Sequence, residues 1–180
     1  MRNDDKVRFA TMWLSGCSGC HMSFLDQDEL LLDLAKKVRL VYSPLVDVKE
    51  FPDEVDVTIV EGAVGNEEQL ALIKQARAST SVLISMGDCA VTGNVPALRN
   101  AWERGDEAVL RRAYLELAEV TPQIPKEVPA LLKKAYPLHE VVEVDYFIPG
   151  CPPHASLINY VLMELLAGRE PDMEGRSKFG

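Results

Sequence analysis

Cysteine is the residue type here with the most chemical potential, and the chain has four: Cys17 and Cys20 with two residues between them, then Cys89 and Cys151 alone. Four thiolates suit either a zinc ion or an iron–sulfur cluster, because both take soft sulfur ligands. Each cysteine loop also carries a glycine, at Gly16, Gly19, Gly87 or Gly150. Glycine allows tight turns and close approach of backbone amides to a bound group. The bland readings are a redox-active dithiol at Cys17–Cys20, or thiols buried as small hydrophobes. Structural zinc sites usually pair two short knuckles. Only one short pair exists here, which leans the reading toward the larger cluster.

The elements that must position these residues alternate between strand and helix. Strands are expected over residues 7–14, 39–43, 55–60, 81–85 and 141–148. After the first strand, Ser23 is a candidate N-cap for a helix with the stripe Leu30, Leu31, Leu34, Ala35 and Val38. Asn66 with Gln69 reads as a capping box before a helix carrying Leu70 and Ile73. Pro96 fits the first turn of a helix to about residue 103, which Gly105 interrupts, and another helix covers 107–117. Four prolines between 121 and 137 predict an irregular excursion with at most one short helix. A last helix spans 154–167 and ends at Gly168.

Strand–helix alternation implies an α/β fold: a doubly wound, mostly parallel five-stranded sheet with helices on both faces, flavodoxin-like. Residues 1–168 are expected to form a single domain, with 169–180 a polar C-terminal tail. Cys17 and Cys20 follow the first strand, Cys89 the fourth and Cys151 the fifth. Carboxyl ends of parallel strands share one edge of the sheet, so three separate loops would bring all four thiols together.

Composition bounds the partners. The chain has 180 residues, is 47% hydrophobic and carries a net charge of -9. That balance excludes nucleic acid, because no basic stripe is present to neutralise phosphates. No apolar run approaches a membrane span, and the polar start of the chain has no signal-like apolar stretch. A cytoplasmic location is expected, where reduced thiols favour metal binding over disulfides.

Four motifs in order carry a resemblance. Gly16-Cys17-Ser18-Gly19-Cys20-His21-Met22-Ser23 is followed by Val60-Glu61-Gly62-Ala63, then Gly87-Asp88-Cys89-Ala90 with Thr92-Gly93-Asn94, then Pro149-Gly150-Cys151-Pro152-Pro153. Together they resemble the small subunits of [NiFe] hydrogenases over roughly residues 9–168. With no cysteines left for further clusters, the chain is most similar to the short small subunit of cytoplasmic NAD-reducing hydrogenases. The related quinone-reductase subunit of respiratory complex I has two adjacent cysteines where this chain has Cys17-x-x-Cys20.

The resemblance implies that Cys17, Cys20, Cys89 and Cys151 ligate one proximal [4Fe-4S] cluster, and that no catalytic residue lies in this chain. It implies a hydrogenase large subunit with the nickel–iron centre, a ferredoxin-like iron–sulfur subunit, and a flavin/NAD-binding diaphorase subunit. NAD, FMN and the NiFe centre would sit on those partners, and FMN on this chain is disfavoured because the first loop is occupied by cysteines. Glu61, His21, His154 and Trp13 are candidates for supporting or interface roles near the cluster. For Glu61 the bland reading is a solvated strand end or a helix cap, for the two histidines a cap, and for Trp13 core packing. The other readings are a short subunit of another [NiFe] hydrogenase or complex I-related assembly, and a zinc-stapled scaffold that only assembles other subunits.

Overall fold

The computed structural model describes residues 6–179; the first five residues of the expected domain and the last of the tail lie outside it. Five parallel strands form one sheet: β1 (Val7–Trp13), β2 (Val38–Tyr42), β3 (Val55–Glu61), β5 (Thr80–Met86) and β7 (Tyr146–Ile148). Their order across the sheet is β2-β1-β3-β5-β7. The chain therefore winds outward from β1 in one direction to β2 and in the other through β3 to β7. The order reverses between β1 and β3, the place where open α/β sheets collect ligands.

Period-two alternation sends side chains to two cores. Phe9, Val57, Ile59, Ile84, Met86 and Ile148 pack with Leu34, Ile158, Val161 and Leu162. That face is covered by α1 (Gly19–Leu25), α2 (Leu30–Lys37) and α6 (Ala155–Leu166). Ala10, Met12, Val60 and Leu83 point the other way, toward Ile73 and Ala76 of α3 (Glu67–Ser79) and Ala90 of α4 (Asp88–Thr92). Helices thus cover both faces of a five-stranded parallel sheet, as the alternation of elements predicts.

Several local expectations are corrected. Ser23 does not start a helix: α1 begins at Gly19 behind Ser18, whose φ of 64° turns the chain. The Ser23 hydroxyl instead donates to the Pro153 carbonyl at 2.6 Å. The helix breaks between Leu25 and Leu30, and Val38 belongs to β2. Only half of the capping box forms. Asn66 accepts from the Gln69 amide at 2.8 Å, but Gln69 Oε1 takes the Gly65 amide and the Ser15 hydroxyl, both at 2.9 Å. Residues 95–101 wind as a 3-10 helix, and Gly105 opens α5 (Gly105–Arg111) rather than interrupting a helix.

The proline-rich excursion contains a strand that its sequence hides. The short β4 (Val64–Asn66) pairs antiparallel with β6 (Leu131–Tyr136), which lies between Pro129 and Pro137. The last sheet strand is shorter than expected, because Val141, Val142 and Val144 pack into the second core without joining the ladder. Asp145 takes over the pairing there: its carboxylate accepts from the Leu83 amide at 2.7 Å and its own amide donates to the Leu83 carbonyl at 3.0 Å. The polar tail packs against α6, with Pro171 buried, Met173 on the first core and Arg176 over the Tyr160 ring.

Candidate metal centre

All four cysteines reach the carboxyl edge of the sheet and line one cavity of about 70 Å³, together with Glu61 and Asp88. They are free thiols; Cys17 and Cys151 are exposed, Cys20 and Cys89 half-buried. Cys20 sits in the first turn of α1 and Cys89 in α4, so two thiols are held by helices and two by loops.

The loops are tied to one another by backbone. Ser15 and Ala63 exchange hydrogen bonds at 2.9 and 2.8 Å, joining the loop after β1 to the one after β3. Gly87 donates to the Ile148 carbonyl at 2.7 Å, and Asp88 donates to the Gly150 carbonyl at 2.9 Å. The buried Asp88 carboxylate then accepts from the Gly150 amide at 2.6 Å. Asp88 therefore fixes the Cys89 loop against the Cys151 loop. The sequence motif Gly87-Asp88-Cys89 contains that residue, but nothing in the spacing marks its role. Asn94 Nδ2 lies 3.6 Å from Cys151 Sγ and the Gly19 amide 3.4 Å from Cys17 Sγ, so two donors already face sulfur.

Burial pushes the Cys20 thiol far up, with Glu61 adding to it and then the thiols of Cys89, Cys17 and Cys151. Burial also raises Cys89, followed by Cys151 and Cys17, while a backbone hydrogen bond involving Val95 works the other way. Four thiolates so close repel one another, and only bound cations make their joint ionisation favourable. Among the described residues, no three of His, Cys, Asp or Glu converge on one ion-sized point. Four sulfur donors around one cavity suit a soft metal ion or a metal–sulfur cluster.

The supporting candidates divide. Glu61 is 2% exposed rather than a solvated strand end, and its Oε2 accepts from the His21 amide at 2.7 Å. It therefore caps α1 while facing the cavity. The His21 ring is buried with Nδ1 3.2 Å from the same oxygen, though neither ring nitrogen makes a directed hydrogen bond. The ring lines a neighbouring apolar cavity with Phe9 and Leu34, not the thiol cavity. His154 is exposed and caps α6, its Nδ1 accepting from the Ser156 amide at 3.3 Å. Trp13 is not core: it is 48% exposed, and its indole nitrogen donates to the Gly16 carbonyl beside Cys17.

Comparison with known proteins places this arrangement. The family described as "NADH ubiquinone oxidoreductase, 20 Kd subunit" matches residues 17–165, from the first cysteine almost to the end of α6. The chain belongs to this family. Its relatives include the delta subunit of the NAD-reducing hydrogenase HoxS of Cupriavidus necator, 44% identical over 176 residues, covering 94% of this chain and 83% of that protein. A subunit of the F420-non-reducing hydrogenase of Methanothermobacter marburgensis is 41% identical across 94% of this chain but only 56% of its own length. A crystal structure of an NAD+-reducing [NiFe]-hydrogenase in the H2-reduced state contains a chain that superposes with a TM-score of 0.91 at 40% identity, covering 97% of this chain and 99% of that one. The chain is thus a homologue of hydrogenase subunits within an oxidoreductase family, and one related subunit in Archaeoglobus profundus is named as iron–sulfur. Among the described residues, no helix is long and apolar enough to cross a membrane.

Proposed function

We propose that this chain is the electron-transfer small subunit of a cytoplasmic NAD-reducing [NiFe] hydrogenase, with Cys17, Cys20, Cys89 and Cys151 holding one [4Fe-4S] cluster. The observation that carries it is the convergence of four thiols, from the segments that follow β1, β5 and β7, on one cavity at the sheet edge. The donor set fits the group: sulfur ligands, a cavity rather than a point, and side-chain and backbone donors facing two of the sulfurs. When bound, the cluster supplies one-electron chemistry between the nickel–iron centre of a large subunit and a ferredoxin-like subunit, which serves a flavin/NAD diaphorase in the overall reaction H2 + NAD+ to H+ + NADH. The residues of this chain hold and shield the group, and none of them activates hydrogen.

Exposed apolar side chains around the thiol edge support docking of the large subunit there. Trp13 is held beside the Cys17 loop, and Val95, 64% exposed, reaches Cys89 through its backbone. Such surface beside the thiols supports an interface at this edge. A relay also needs its donor close, which favours the same edge for the large subunit.

Elemental analysis of anaerobically prepared chain tests the reading. About four iron and four sulfide per chain are expected, with broad absorption near 400 nm. One zinc without iron would establish the colourless scaffold instead. The similarity to the F420-non-reducing hydrogenase favours one other reading, a hydrogenase of the same architecture with a different acceptor. Hydrogen-dependent reduction of NAD by the purified complex separates the two.

A further inference from the structure

Beside the thiol cavity lies a second, larger hollow of about 750 Å³, and its chemistry differs from that of the Trp13 and Val95 side. It is lined by the segment Cys151, Pro152, Pro153 and His154, by Met22 of α1 and by Asp26 just after that helix, both exposed. The C-terminal tail contributes Arg176 and Lys178, both exposed. Among the described lining residues Asp26 is the lone carboxylate, against an arginine, a lysine and a histidine.

The tail does not hang there loosely. The Arg176 guanidinium lies 4.5 Å over the Tyr160 ring of α6, and the Tyr160 hydroxyl accepts from the Asp172 amide at 3.1 Å. The Arg176 amide closes a turn onto the Met173 carbonyl at 3.2 Å, and Arg169 pairs with Glu164 of α6. The cation–π contact holds Arg176 in place, and Lys178 lines the same hollow as the exposed Cys151.

A relay has two neighbours, so its cluster needs two approaches. Trp13 bonds next to Cys17 and Val95 reaches Cys89 through its backbone, while Cys151 lines the hollow that Arg176 and Lys178 border. In a chain with a net charge of -9, a hollow lined by Arg176 and Lys178 with Asp26 as its one lining carboxylate among the described residues is a local cationic feature. We infer that the hollow beside Cys151 is the docking site of the electron acceptor, a ferredoxin-like domain that presents carboxylates around its own one-electron centre. Arg176 and Lys178 steer it, and Met22 is the apolar contact at the centre. One electron passes across this contact, with no proton and no bond made or broken. The inference rests on the proposed electron-transfer role and adds the exit side, the charge of the partner and the residues that select it.

The test uses the hydrogenase pair, this chain with its large subunit, and the purified ferredoxin-like subunit as the probe. Affinity and association rate are measured by calorimetry and surface plasmon resonance at low and high salt. The variant R176E/K178E is compared with K36E/K37E, which makes the same change in net charge on α2. About tenfold weaker binding is expected for the tail variant, mostly from slower association, against less than about twofold for the control, with the difference shrinking in salt. Lys178→Glu alone leaves the Arg176–Tyr160 stack intact and should still weaken binding about threefold. Equal affinities for the two double variants, or a loss insensitive to salt, would overturn the inference. So would loss of the large subunit in place of the acceptor. The absorption spectrum and iron content of the parent pair report separately on the cluster: parent protein without iron refutes the electron-transfer role itself, whatever the binding shows.

Discussion

Replacing Gly87 by alanine tests whether the thiol cavity is built for a bound group or is a by-product of loop packing. Gly87 has φ 83° and ψ 156°, a region that essentially only glycine occupies, so any side chain there costs about 1–3 kcal/mol in backbone strain. A Cβ would also overlap Cys20 Sγ. The sulfur must retreat by more than about 1 Å to regain ordinary van der Waals separation. Ligand distances in metal sites tolerate only about 0.2 Å, so the second effect decides the outcome for the cluster and the first for stability. Gly87→Ala should therefore lose most of its iron and sulfide after anaerobic reconstitution, while circular dichroism still reports an α/β fold with a lowered melting temperature. Gly168→Ala is the control: it also has positive φ, at 70°, but a Cβ there meets nothing within 4 Å. It should lose about 1 kcal/mol and no iron. If Gly87→Ala binds iron and sulfide as fully as the parent with an unchanged spectrum, Cys20 is not a ligand at this geometry and the reasoning fails.

Asp88→Ala removes the acceptor of the buried Gly150 amide and should lower stability by about 1–3 kcal/mol in chemical denaturation, with Asp88→Asn losing less because it keeps an acceptor oxygen. Arg77→Ala should cost about 1–2 kcal/mol at full cluster occupancy, because Arg77 joins the end of α3 to the Thr80 and Ser81 carbonyls and to Asp145, far from the thiols. The pH dependence of the metal-free chain follows from its raised thiols. Cys20 and Cys89 stay protonated in the fold at pH values where the unfolded chain already ionises them. Stability should therefore hold below about pH 8.5 and fall as pH rises from there toward the folded-state values. Thermal melts of apo and reconstituted protein from about pH 7 to 10 check this, and the loaded form should show little of the decline.

Where side-chain periodicity was strong, the sequence disclosed the fold. The four longer sheet strands, α3, α6 and the edge that gathers the cysteines all appear close to where the apolar pattern puts them. What escaped is what depends on tertiary partners. β6 is a short strand of leucine, lysine, alanine and tyrosine between prolines, and only the register offered by Val64 and Asn66 makes it one. The early start of α1 depends on Ser18 adopting a left-handed turn that no propensity favours. At the candidate site the thiols were legible because few other roles suit four cysteines after three strands. Asp88 was not, because an aspartate at a strand end usually caps a helix in solvent, and its burial against Gly150 arises only when β5 and β7 lie side by side.

That difference says what kind of site this is. The hydrogen bonds joining Ser15 to Ala63, Gly87 to Ile148 and Asp88 to Gly150 are made by backbone or by a carboxylate, and none of them needs sulfur. The sheet ends and their cross-ties therefore set where the cysteines stand. Folding brings four thiols together, and burial with nearby negative charge favours the protonated form of Cys20 and Cys89. These cross-ties bring the thiols to one place through backbone and carboxylate contacts, and a bound metal group would supply the positive charge that favours their ionisation. Under the proposed electron-transfer role this has a further consequence: cysteines positioned by β1, β5 and β7 would need to move little between oxidation states of a bound group.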